Sequence, residues 1–486
     1  LCEAGFTRRY GSRIAAPAAA RQLDRELEII ERLGFSSYFV VVGEIVRFGR
    51  ERGVATVGRG SGASAVTSFV LGITNVDPIR YGLAFERFLH EKRPDWPDLD
   101  VDLCWKRRDE VIEHVYAAYG RDRVAMISTH NTYGMRSAFR EAAKAHGVAN
   151  ATVDRLGRCV PHASEMPLRQ ALDRVPRGRE IPREDPPWPR VLEQAERWVG
   201  LPRHLGLHPG GIVIADTPLE RYVPLEEAAK GILCTQFEMR AVEAVGLVKI
   251  DLLGNRAIST IRETVELVEA GGGPRLDPEA FPHEDPPTAR LLSSGDSLGV
   301  FQMESPGMRN LNRMLATRDL ATAIAAVALI RPGPAASGMK ERFCRRARGL
   351  EPAGYLDPRL EPVLRGTFGV PLYEEDVMRV AAAVTGLPLE DGDVLRRAIA
   401  GGSAAAREEM RGMFLARARG NGYAPDTARA IWEGLLQFGS FAFCKAHAAG
   451  YGVLAWQAGW LKAHYPAEFA VALMNHHAGM YAKRTH

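Results

Sequence analysis

The chain has 486 residues, 46% of them hydrophobic, enough to bury sizeable cores and to divide into roughly three domains at about 100–200 residues each. Its 63 Lys and Arg nearly balance 59 Asp and Glu, a formal charge of +4, so any polyanion binding must come from local basic clusters rather than net charge. Six scattered cysteines (Cys2, Cys104, Cys159, Cys234, Cys344, Cys444) show no CxxC or zinc spacing and predict a reduced, cytoplasmic setting, and the longest apolar run, Ala321 to Ile330, is half the ~20 residues that span a bilayer, which excludes a membrane protein.

The chain starts at Leu1 with no signal peptide, as expected for a sequence that begins inside a longer reading frame. Leu23, Leu27, Ile30 and Leu33 at helical spacing predict a helix over 19–34 closed by Gly34, and Tyr38 to Arg50 continues as a buried helix. Gly53 to Val57 reads as a strand running into the glycine-rich turn Gly58-Arg59-Gly60-Ser61-Gly62-Ala63-Ser64, with a helical stretch over Ala63 to Leu71. Residues 160–190, rich in Pro and charge, read as a connection or a loosely packed peripheral domain, and 271–287 is a second such stretch; these are the best boundary candidates. Beyond them 320–330, 374–386, 405–420, 425–437 and 447–462 read as helices, so a mixed α/β part is followed by a mainly α part, without internal repeats.

The sharpest chemical feature is Pro97-Asp98-Leu99-Asp100-Val101-Asp102-Leu103. Period-two alternation on a strand places all three carboxylates on one face. Asp is poor in strands, and neighbouring carboxylates ~6–7 Å apart repel unless a cation sits between them; hard oxygen ligands suit Mg²⁺. The alternative is a solvated edge strand, which would more often mix Lys, Thr and Glu than repeat Asp. An EF-hand is excluded because Leu103 and Asp109 stand where its Gly and Glu belong. A two-metal site needs a further ligand from a neighbouring strand, and Val245 to Leu253 is the candidate, with Lys249 and Asp251 on one face; taken alone, that strand is as well explained by a structural ion pair.

In the glycine-rich turn, backbone N–H groups and the following helix N-terminus can hold a triphosphate, with Arg59 and Ser61 adding a charge and a hydroxyl. A plain connecting turn explains the glycines equally well. The dinucleotide pattern fails because Asn75-Val76-Asp77-Pro78 reads as a turn, and no Gly-Lys-Ser/Thr follows for a Walker motif.

Taken together the chain resembles the alpha subunit of bacterial DNA polymerase III, the C family of DNA polymerases, over essentially its whole length. The resemblance is carried by GRGSG at 58–62, FERFL at 85–89, PDLDVD at 97–102, HPGG at 208–211, VKIDLLG at 248–254, VFQMES at 300–305, RPGP at 331–334, VLRRAI at 394–399 and FCKAHAAGY at 443–451. It implies an α/β plus mainly α fold: a polymerase-beta-like nucleotidyltransferase palm (1–128 and 207–256), an inserted thumb (129–206) and large helical fingers (257–486). HPGG in place of the usual Lys-His-Ala-Gly-Gly is similar to the error-prone paralogue, and Gly401-Gly402-Ser403 departs from the lysines usual in the replicative form.

The resemblance implies template-directed DNA synthesis from deoxynucleoside triphosphates with two Mg²⁺ ions, held by Asp98, Asp100 and Asp251. Asp102 shares the motif without being a direct ligand. Lys249 is implied beside the primer terminus; Gly60, Ser61 and Arg87 at the triphosphate; Arg396 and Arg397 reaching the nucleotide from the fingers. Set against these roles, Arg87 could pair with Glu86 or Asp77, Arg396 and Arg397 could form a solvated face, and His208 could be a structural loop residue. Lys340, Arg342, Arg345, Arg346 and Arg348 form a run that fits template phosphate or, by default, a solvated helix face. Implied partners are primer–template DNA and, in the full-length protein, a sliding clamp and other replisome subunits, with no membrane. The competing functions are a catalytically silent fragment that binds primed DNA and a nucleotidyltransferase of another type.

Overall fold

In a computed structural model of the chain, residues 1–93, 95–162, 166–228, 231–331, 338–439 and 442–480 are described. Of the RPGP motif only Arg331 falls among them. Apolar residues at helical spacing open the chain as helices Cys2–Tyr10, Pro17–Arg32 and Ser36–Glu51. Pro17 sits in the first turn of its helix, where a missing N–H costs nothing, and Gly34 takes φ 78° just beyond the helix end.

Seven strands follow: β1 (Thr56–Arg59), β2 (Asp100–Cys104), β3 (Val124–Thr132), β4 (Pro202–Ile214), β5 (Leu225–Glu227), β6 (Leu233–Glu238) and β7 (Lys249–Asn255). The chain divides into two compact units, Leu1–Ala118 with Ile250–His486, and Tyr119–Lys249.

In the first unit β1 runs antiparallel to β2, and β2 parallel to β7. The acidic strand is therefore flanked on both sides, so the solvated-edge alternative does not hold. Its paired stretch starts at Asp100, and Asp98 precedes it. β1 is shifted from the expected 53–57 because Thr56 to Arg59 pair with Leu103 to Asp100; the first two members of the glycine-rich turn, Gly58 and Arg59, thus belong to the strand. The expected helix over 63–71 is a 3₁₀ turn, Gly60–Ser64, and a short helix, Val66–Val70.

The main core of this unit joins Val57 and Val76 to Ile258 and Ile261 and to Ala448, Leu454, Trp456 and Leu461 of the helix Lys445–His464. Small residues let that helix approach its neighbours: a Cβ on Gly452 would lie 2.8 Å from Ile324 Cα in the helix Leu320–Leu329. Helices Glu374–Thr385, Ala404–Gly420 and Pro425–Gly439, close to their expected positions, and a further helix, Leu389–Gly401, build a separate core around Phe414, Trp432 and Leu395. The 271–287 stretch lies within this unit.

In the second unit the strand order is β4-β3-β6-β5, with β3 antiparallel to β4 and parallel to β6. The 160–190 stretch is not loosely packed. Val160, Leu168, Leu172, Ile181 and Trp188 join Phe139 in a buried core around helices Met135–Ala145 and Trp188–Trp198, so prolines here punctuate packed helices. Among the described residues no helix is long and apolar enough to cross a membrane.

Candidate functional site

Parallel pairing of β2 with β7 sets Asp100 directly across from Asp251, so both carboxylates leave the same face of adjacent strands. β1 brings Arg59 opposite Asp100 from the other side, its guanidinium 3.6 Å from Asp100 and 3.8 Å from Asp102. Leu99 is buried between Asp98 and Asp100, and its N–H donates to the Tyr38 hydroxyl at 2.9 Å, which fixes the backbone from which the two acids project. Burial raises the Tyr38 phenol well above its ordinary range, and Asp98, Asp100 and Asp251 all add to that rise. All three acids thus act on one buried hydroxyl from the helix Ser36–Glu51.

Asp102 meets different surroundings. Its Oδ2 accepts the Asn255 side-chain N–H at 2.9 Å and the Tyr451 hydroxyl at 3.4 Å, and it is 2% exposed. Burial lifts its carboxyl pKa, opposed first by the Asn255 bond and then by Arg59. This aspartate ties β2 to β7 and to the helix Lys445–His464.

Among the described residues no three His, Cys, Asp or Glu side chains are gathered closely enough to hold a metal. The structure brings Asp100 beside Asp251 and does not complete a cage with Asp98. Adjacent hard-oxygen donors nonetheless fit Mg²⁺, which is commonly held by one or two carboxylates plus water and substrate phosphate rather than by an all-protein cage.

The glycines of the turn have separate physical reasons. A Cβ on Gly58 would lie 2.7 Å from the Ile73 carbonyl oxygen, one on Gly62 would lie 2.6 Å from Leu99 Cδ2, and Gly60 has φ 73° beside Asp100. The helix N-terminus expected to receive phosphate is already occupied. Buried Glu26 accepts the N–H groups of Val66 and Thr67 at 3.0 and 2.8 Å. Of the residues expected at the triphosphate, Gly60 and the half-buried Ser61 lie outside this cap.

Arg87 donates to Glu374, not to Glu86 or Asp77; Glu86 pairs with Arg25 at 2.7 Å and Asp77 accepts from Tyr10 at 2.7 Å. Arg396 is 7% exposed, bonded to Asp393 at 2.8 Å and 3.5 Å from Glu374, while Arg397 pairs with Asp95. These two arginines therefore do not form a solvated face. Lys249 is 8% exposed at the start of β7. His208 accepts the N–H groups of Gly210 and Gly211 at 3.2 and 2.6 Å, a structural part within β4 rather than in a loop. In the basic run, Lys340 pairs with Glu341, Arg345 and Arg346 pair with Glu351, and Arg348 donates to the Met314 carbonyl, so these four cations have acceptors among the described residues.

The helix Lys445–His464 adds residues that its sequence pattern left without a role. Lys445 N–H is held by buried Glu375 at 2.9 and 3.1 Å. His447 packs on Tyr451 with ring centres 4.3 Å apart, and burial, aided by Arg59 and Arg331, pushes its imidazole down to about 4. Tyr38, Glu26 and Glu374 carry no signal in the sequence because their partners lie far along the chain.

Two carboxylates paired across adjacent strands beside a glycine-rich turn make a site of hard-oxygen donors. The family described as "Bacterial DNA polymerase III alpha NTPase domain" matches residues 1–254, and "Bacterial DNA polymerase III alpha subunit finger domain" matches 257–422. The chain belongs to the bacterial DNA polymerase III alpha family. It is 40% identical to an error-prone DNA polymerase of Symbiobacterium thermophilum over 97% of its length and 43% of the relative's. It is 38% identical to the DNA polymerase III subunit alpha of Thermus aquaticus over 93% of its length and 37% of the relative's. An error-prone DNA polymerase of Pseudomonas aeruginosa is 39% identical over 98% and 46% respectively. The chain thus spans less than half of each relative and matches both branches at nearly equal identity.

Proposed function

We propose that this chain carries the polymerase centre of a template-directed DNA polymerase, extending a primer from deoxynucleoside triphosphates. The observation that carries the reading is the register pair Asp100–Asp251, two acids at one point of two buried strands. In the reaction the primer 3′-hydroxyl gives up its proton to solvent and attacks the α-phosphorus, the new P–O bond forms as the bond to the α,β-bridging oxygen breaks, and pyrophosphate leaves with that oxygen.

Asp98, Asp100 and Asp251 would hold two Mg²⁺ ions, with Tyr38 fixing the backbone of the first two. When bound, such ions supply Lewis acidity toward the attacking hydroxyl and the leaving pyrophosphate. Arg87, Arg396 and Arg397, with the Gly60 and Ser61 region, neutralise and orient the triphosphate, and Lys249 stands by the primer terminus. In this reading 1–128 and 207–256 form the palm, 129–206 the thumb and 257–486 the fingers. Primer–template DNA is the partner, with a sliding clamp and replisome subunits joining the full-length protein. A reduced, cytoplasmic setting suits its six free cysteines.

Primer extension at varied Mg²⁺, comparing the native chain with Asp100→Ala and Asp251→Ala, tests the assignment. Extension is expected to be lost in both variants; activity surviving either substitution would overturn it. Extension that proceeds equally without template would point instead to a nucleotidyltransferase of another type, and a native chain that binds primed DNA without extending it to a catalytically silent fragment.

A further inference from the structure

Glu374 opens the helix Glu374–Thr385, and its carboxylate bridges two guanidiniums from distant parts of the chain. Arg87 donates to one oxygen, and Arg396 Nη1 lies 3.5 Å from the other. Arg396 is anchored on its far side by Asp393, which is fully buried and also bonded to His90 at 3.1 Å. The Glu374 backbone is pinned as well, its N–H donating to the Phe443 carbonyl at 3.0 Å. Its carboxylate, with a side chain 17% exposed, retains a way out toward solvent.

The charge around it is unbalanced. Arg87, Arg93, Arg331, Arg396 and Arg397 face Glu374, Glu375, Asp393 and Asp95, five cations against four acids, one of which, Glu375, burial pushes toward its neutral form; Glu374 acts on both Arg87 and Arg331. Two guanidiniums converging on one carboxylate have the geometry that also receives a phosphate oxygen, and phosphate brings more charge and more acceptor atoms than a carboxylate.

We propose that Glu374 is a positioning residue, an internal counter-ion that holds Arg87 and Arg396 at one point and surrenders them to the polyphosphate of the incoming nucleotide. The inference rests on the reading that these arginines bind triphosphate. A merely structural ion pair predicts the opposite sign: its loss would loosen both arginines and weaken phosphate binding. A displaceable counter-ion predicts that its loss removes a competitor and a like charge.

The test is calorimetric binding of inorganic tripolyphosphate and of dATP to the 486-residue chain. Glu374→Gln is expected to tighten tripolyphosphate binding by about 10-fold, and Arg87→Gln to weaken it by a similar factor. If Arg87→Gln weakens binding while Glu374→Gln leaves it unchanged or weaker, the counter-ion role is overturned and the phosphate reading stands. If Arg87→Gln has no effect, the phosphate reading itself falls, and this inference with it. Should Glu374→Gln fail to fold, a structure of the unaltered chain with tripolyphosphate decides: an opened Glu374 bridge supports the role, and a bridge still closed on both guanidiniums beside bound tripolyphosphate overturns it.

Discussion

Asp100 and Asp102 stand two residues apart on one strand face, yet their side chains are 17% and 3% exposed and their partners differ. Asp102→Ala would leave Asn255, Tyr451 and Arg59 without their shared acceptor, and leaving such enclosed donors unsatisfied costs about 1–3 kcal/mol. Asp100→Asn keeps the shape and removes like charge beside Asp251, so stability is expected to change by less than about 0.5 kcal/mol while primer extension falls about a hundredfold or more. Denaturant unfolding and extension assays on both variants check this; an Asp100→Asn chain as destabilised as Asp102→Ala would contradict it. A second change separates packing from chemistry in the turn. Gly58→Ala forces a Cβ against Ile73 and Thr74 backbone and is expected to cost about 1–3 kcal/mol in chemical denaturation. Sequence alone marked Asp98 and Asp100, because alternating Asp on a strand is unfavourable without a cation. The alternation alone could not separate Asp102 from them, and only the family resemblance did, since the physical distinction is made by Asn255 and Tyr451, 153 and 349 residues away.

At the scale of elements, helical periodicity located the long helices to within a few residues, whereas the short one after the glycine turn starts where a distant side chain caps it. Glu26, on Pro17–Arg32, accepts from Val66, Thr67 and Gln22, and burial still outweighs these bonds and pushes its carboxyl up to about 7, from an ordinary 4.5. Glu375, holding the start of Lys445–His464, is likewise pushed up to about 7. With a folded pKa above the unfolded one, the native state binds more protons between pH 4.5 and 7. Stability contributed by this group is therefore greatest below about pH 4.5 and declines as pH rises to about 7. Glu26→Gln removes that titration. The melting temperature of the native chain minus that of the variant is expected to fall steadily from pH 4.5 to pH 7 and then level off; a difference that stays flat over this window and drops only below about pH 4.5 would show that the hydrogen bonds, not burial, dominate.

At the scale of the whole chain, the two family matches meet at residues 254 and 257, inside the first unit rather than at its edge. Val57 and Val76 from the first match share one core with Ile258, Ile261 and Leu311 from the second, and with Leu454, Trp456, Leu461, Phe469 and Leu473 beyond the end of the second at 422. Periodicity identified these helices one by one, but a core shared by residues as far apart as Val57 and Ala448 leaves no local trace, so it was not legible in the sequence. A chain ended after Gly422 would lose five large buried side chains of this core, each worth about 1.5–3 kcal/mol, a total on the scale of the roughly 5–15 kcal/mol that holds a domain folded. It would also strip the cover from β1, because Ala448 and Ala449 of Lys445–His464 belong to the same core as Val57. The 1–422 chain is therefore expected to keep much of its far-ultraviolet circular dichroism, bind a hydrophobic dye, and lose the cooperative thermal transition of the first unit. A sharp transition at the melting temperature of the 486-residue chain would mean that the finger-domain match closes a self-sufficient core, and that the helix carrying Lys445, His447 and Tyr451 serves the site without supporting the fold.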